Sequence, residues 1–134
     1  MGDAKRIALA RAAIAAERKR QIEVEGYDAA HDDAHVDGEL LRAAVLYYAN
    51  AKRLPSDPPM KLRADGAPVG WPWKAEWWKP DGGCRDIERA GALALAERDR
   101  LRRKHLPVEH VNGKLSLIIR LLADHPRSGL GAPA

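Results

Sequence analysis

Two stretches of this chain carry side chains whose types and spacing could do chemistry. In the first, Tyr27 to Glu39, His31, Asp32, Asp33 and His35 lie within about one helical turn, and Glu39 follows one turn later. Imidazoles and carboxylates are ligands for divalent ions, and a metal here would take His31, Asp33, His35 and Glu39. Acidic residues ahead of a helix also complement its N-terminal dipole without any metal, so both readings stay open. In the second, Trp71 to Asp86, all four tryptophans (Trp71, Trp73, Trp77 and Trp78) fall within eight positions of a chain that has no phenylalanine. Pro72 and Pro80 keep this stretch out of a helix interior, which makes it an ordered loop. Its indoles either plug the helical body or wall a pocket. As a wall they stack a planar ligand, while Lys79, Arg85 and Arg89 take phosphate at the start of the next helix. His31, Asp32, His35 and Glu39 then suit ribose hydroxyls or a base edge. The competing reading of Arg85 and Arg89 is ion pairing with Asp86 and Glu88.

Other chemistries find little support. Ser56, Ser116 and Ser128 lie outside any Gly-x-Ser-x-Gly elbow, and the chain has neither a P-loop nor Gly-x-Gly-x-x-Gly. Its one cysteine, Cys84, rules out an internal disulfide and fits a reducing, cytoplasmic setting. A net charge of +4 favours an anionic partner without demanding nucleic acid, which stays open as a partner. No apolar run approaches the length of a membrane span.

Four helical stretches must position these groups. Asp3 can cap a first helix to about Val24, with Ile7, Ile14 and Ile22 as its apolar stripe and Glu17 and Gln21 sharing one side. Gly26 ends it. Asp37 can cap a second helix over 38–53, with Leu40, Leu41, Ala44, Val45 and Tyr48 facing inward, before Pro55, Pro58 and Pro59 stop it. Residues 54–84 form a long structured loop. A third helix runs from Arg85 to about His105 with Ile87, Ala90, Gly91, Ala94 and Leu95 on one stripe. Leu115 to Ala123 is read as a last helix beginning near Glu109, although Ile118-Ile119 and the Asn112-Gly113 turn signal also suit a strand. The expected fold is therefore all-α: one domain over 1–134, a small bundle of three to four helices with a core over about 3–124. Residues 125–134 form a flexible tail. The apolar surface of Leu115–Ala123 suggests a homo-oligomer, a dimer or higher.

As a set, Glu17-Arg18, Gln21, Glu25-Gly26-Tyr27, His31-Asp32-Asp33, His35, Gly38-Glu39-Leu40, Trp71-Pro72-Trp73, Trp77-Trp78-Lys79-Pro80, Arg85-Asp86, Ala90-Gly91-Ala92-Leu93 and Ala96-Glu97-Arg98 resemble a family of small phage and prophage proteins. That resemblance covers about residues 15–103 and implies a bacterial host cytoplasm. Gly38-Glu39-Leu40 and the helix carrying Asp86 and Glu97 are more distantly similar to MazG-like nucleotide pyrophosphohydrolases, which hold Mg2+ with paired acidic motifs. Here Val36 stands where the first glutamate belongs, and Arg89 stands where another acid belongs. The first expectation is therefore a phage-type protein that captures a phosphate-bearing, nucleotide-like small molecule without cleaving it and needs no cofactor. By analogy with phage proteins that sequester nucleotide signals of bacterial immunity, capture would serve anti-defence. The alternatives are a divergent MazG-like hydrolase requiring Mg2+ and an accessory factor binding nucleic acid or protein.

Overall fold

The computed structural model describes residues 2–125. The expected flexible tail lies outside them apart from His125. The fold is all-α: α1 (Asp3–Glu25), α2 (Ala29–Asp33), α3 (Glu39–Lys52), α4 (Gly83–Arg103) and α5 (Glu109–Asp124), with a 3₁₀ turn at Ala75–Trp77 inside the long loop. The count exceeds the expected three to four because Asp28 closes a single extra turn, its carboxylate accepting from the His31 N–H at 2.9 Å. No helix among the described residues is long and apolar enough to cross a membrane.

At the centre lies α4, which packs against α1, α2, α3 and α5. Helices covered on several sides must be apolar or small nearly all round, and α4 buries Ile87, Ala90, Gly91, Ala92, Leu93, Ala94 and Ala96. Gly91 is required by closeness. A Cβ there would stand 2.7 Å from the side chain of Ile14, itself 1% exposed. Gly91→Ala should therefore lower stability by about 1 kcal/mol, because overpacking of roughly 1–3 kcal/mol outweighs the gain in helix propensity of about 1 kcal/mol. Thermal melting checks this, and adding Ile14→Val should recover part of the loss.

The apolar faces are partly shifted from the expected ones. On α3 Leu40, Ala43, Ala44 and Tyr47 are buried, whereas Val45 is exposed and Tyr48 only half-buried. On α1 Ile14 is buried but Ile22 is 39% exposed, since Gln21 takes the inward position beside it. Neither expected aspartate caps its helix. Gly2 precedes α1, and Asp3 lies inside the first turn paired to Arg120 at 2.7 Å. Gly38, left-handed at φ 78°, precedes α3, while Asp37 donates its N–H to Glu39. Residues 109–124 are helical, because Val111, Leu115, Ile118, Ile119, Leu122 and Ala123 recur at the spacing of one helix face and bury it. That burial consumes most of the apolar surface on which the homo-oligomer expectation rests.

Candidate functional site

The tryptophan loop is fastened at three points. Arg63 reaches across it to donate to the carbonyls of Trp71 (2.8 Å) and Trp73 (3.1 Å). The Lys79 N–H donates to the Tyr47 hydroxyl at 3.2 Å, and Arg89 donates to the Lys79 carbonyl at 2.9 Å. These bonds bring both sequence stretches into one continuous run of rings. Tyr27 stacks on His31 (4.5 Å between centroids, 9°), His31 meets His35, and His35 meets the edge of Trp73 at 5.2 Å. From Trp73 the run continues to Trp71, Tyr47 and Trp78. Of the four indoles, Trp71 belongs to the core at 4% exposure with its Nε1–H on the Lys74 carbonyl, and Trp77 is 48% exposed.

Beside this run lies a cavity of about 400 Å³. Among the expected site residues Trp71, Trp73, Trp77, Lys79, Arg89 and His31 line it. Trp78, Arg85, Asp32, His35 and Glu39 do not. Trp78 is turned onto Tyr47. Arg85 is drawn away by Glu17 at 2.9 Å and Glu88 at 3.1 Å. The expected phosphate grip at the start of α4 is likewise taken up from within. The buried Asp86 carboxylate accepts the N–H groups of Asp81 (2.9 Å) and Gly82 (3.0 Å), the Asn50 amide (2.9 Å) and Arg89 (3.2 Å). Arg89 also pairs with Asp81 at 2.6 Å.

Sequence reasoning missed Arg20, Gln21, Glu25, Tyr27, Tyr47 and Leu93 on the cavity wall. One signal was present: a glutamine on the inward side of α1 has to be satisfied or used. Gln21 is 3% exposed, and its Nε2 donates to Glu17 at 3.3 Å, which leaves Oε1 as an acceptor without a partner. Trp73 Nε1–H is a buried donor, also without a partner. Burial, assisted by Glu25, pushes the Tyr27 hydroxyl up to about 12, so it stays neutral. Among the described residues the Lys79 ammonium makes no ion pair, whereas Arg20 is held by Glu17 (2.7 Å) and Glu25 (3.2 Å). A second hollow of about 470 Å³ is larger but mainly apolar, lined by Leu41, Val45 and Leu46 together with Arg42 and His110.

Glu17 anchors the arginines behind the cavity. Burial works against its ionisation, but hydrogen bonds and charge from Arg20 and Arg85 outweigh it and hold its carboxyl below the ordinary 4.5. A depressed carboxyl contributes stability that is complete above the unfolded value and is lost as pH falls through the folded one. Stability should accordingly decline as pH drops below about 4.5. Glu17→Gln should flatten that acid limb in denaturation curves collected across the range.

The expected four-ligand metal set is not assembled. Asp33 turns to Arg103 at 2.8 Å, and no group of three or more His, Cys, Asp or Glu among the described residues is placed to hold a metal ion. Glu39 binds His35 at 3.0 Å and accepts from the Asp37 N–H; these bonds overcome its burial and keep its carboxyl below the ordinary range. Asp86 is engaged as described, and Glu97 is paired with Arg100 at 2.6 Å. The oxygen donors that Mg2+ would need for the MazG-like alternative are thus committed to cations and N–H groups, and this donor set does not fit that ion. No family model matches the chain, and no curated protein or solved structure matches it either.

Proposed function

We propose that the protein is a binding protein for a phosphate-bearing, nucleotide-like small molecule, which it captures without cleaving. The observation that carries this reading is the chemistry of the cavity wall. A buried donor, Trp73 Nε1–H, and a buried acceptor, Gln21 Oε1, both lacking partners, belong to residues lining the same space. Buried polar atoms left unpaired are costly, at about 1–3 kcal/mol each, and a ligand carrying an acceptor and a donor would satisfy them once side-chain rotation brings them to the cavity surface. The surrounding rings offer stacking surface, and Lys79 offers a cation for phosphate. A volume near 400 Å³ lies within the range of small-molecule sites. In a phage setting, which the sequence pattern resembles, such capture would sequester a nucleotide signal of bacterial immunity.

A screen of purified protein against a nucleotide panel, with and without magnesium, tests the reading. Mass spectrometry of what denaturation releases should find the ligand unchanged. Turnover of a nucleoside triphosphate, or failure to bind any member of the panel, would sink it.

A further inference from the structure

On the capture reading, the wall that α1 contributes to the cavity bears on which base enters. Arg20, Gln21 and Glu25 line the space from that helix. Arg20 is fixed from behind, its Nε and Nη2 donating to the two oxygens of buried Glu17 at 2.7 and 3.0 Å. Nη2 also reaches Glu25 Oε1 at 3.2 Å. Two groups are left over. Arg20 Nη1 and Glu25 Oε2 make no hydrogen bond or ion pair among the described residues. The two side chains are 36% and 37% exposed, so both can meet a ligand. Tyr27 and Tyr47 line the same space; burial raises both hydroxyls, and the Glu25 charge adds to each.

A guanidinium donor beside a carboxylate with acceptor capacity to spare complements one base edge in particular. Guanine presents an acceptor, O6, followed by two neighbouring donors, N1–H and the 2-amino group. Adenine and cytosine each set one amino donor beside a bare ring nitrogen, which a carboxylate repels. Uracil sets a single N–H between two carbonyls. An ionised carboxylate only accepts, so guanine alone of these four offers it two neighbouring donors. We infer that the captured base is guanine: Glu25 accepts from N1–H and the 2-amino group, Arg20 Nη1 donates to O6, and Lys79 takes phosphate. Both base contacts are charge-assisted, and so stronger than a neutral wall would supply. Trp77 makes no ring–ring contact among the described residues, which leaves indole surface for the base to stack on. This assignment rests on the capture reading and narrows it to one base.

Isothermal titration of the full-length protein with GMP, IMP, AMP, CMP and UMP tests it. GMP should bind roughly 5–150-fold more tightly than AMP, the worth of one bidentate base contact. IMP keeps O6 and N1–H but lacks the 2-amino group, and should bind roughly tenfold more weakly than GMP. Glu25→Ala should remove the GMP-over-IMP preference. Glu25 is the position to change because Arg20 also holds buried Glu17, so that its loss would mix affinity with folding. The unaltered protein supplies a second readout that depends on no variant: the N1–H proton of bound GMP should exchange with water more slowly than in free GMP. Similar affinity for GMP, IMP and AMP, preference for another base, a GMP-over-IMP preference that survives Glu25→Ala, or an unprotected N1–H would overturn the assignment while leaving capture standing. Binding of no nucleotide at all would overturn both.

Discussion

Asp86→Ala should lower stability by about 3–5 kcal/mol, the scale on which removing one member of a buried ionic network falls. The carboxylate is fully buried and gathers four donors from three separate places: Asn50 on α3, the Asp81 and Gly82 N–H groups of the loop, and Arg89 on α4 itself. Alanine leaves the two loop N–H groups and the Asn50 amide without their acceptor. Arg89 suffers less, since Asp81 and the Lys79 carbonyl still hold it. Asp86→Asn should fall between, because an amide presents one acceptor and places its own donors against the remaining N–H groups. Urea denaturation gives the magnitude. A loss below about 1 kcal/mol would mean that water replaces the carboxylate freely and that the joint does not hold the loop.

The second large effect concerns the ligand. Trp77→Ala should weaken binding of the best nucleotide by roughly 1–3 kcal/mol, the scale of one lost base stack. Melting should meanwhile stay within about 0.5 kcal/mol of the parent. Trp77 allows this separation because it is 48% exposed, with Lys74 Nζ 6.0 Å from its ring, whereas Trp71 is core and any change there confounds affinity with folding. Lys79→Ala should add a loss that shrinks as salt is raised, since its ammonium is exposed and screened. Arg85→Ala, directed away from the cavity toward Glu17, should alter stability rather than affinity. Unchanged affinity in Trp77→Ala would remove the exposed indole from the site.

Local patterns carried the fold and part of the site. Gly26 and the prolines after Arg53 mark helix ends because backbone conformation is decided within a few residues, and α5 follows from its apolar period despite Asn112-Gly113. The caps went astray because a glycine at each cap position already supplies the backbone, freeing Asp3 to pair across 117 residues with Arg120. The site divided in the same way. Six of the expected residues reach the cavity, and Arg85 does not, because its partner Glu17 lies on another helix and no spacing along the chain announces that pair. Gln21 and Arg20 were missed for the same physical reason. A polar side chain on a helix face looks alike whether it meets solvent, a buried carboxylate or a ligand, and only tertiary neighbours decide.

The central position of α4 also bears on how the chain is made. Synthesis delivers residues at about 5–20 per second from the N-terminus. When Gly82 leaves the ribosome, α1 and α3 have emerged, yet the helix that both pack against has not. Leu40, Ala43, Ala44 and Ile14, all buried in the finished molecule, must wait several seconds uncovered or in provisional contacts. During that interval the nascent chain exposes apolar surface of the kind that chaperones cover, because the helix that buries it comes later in the chain.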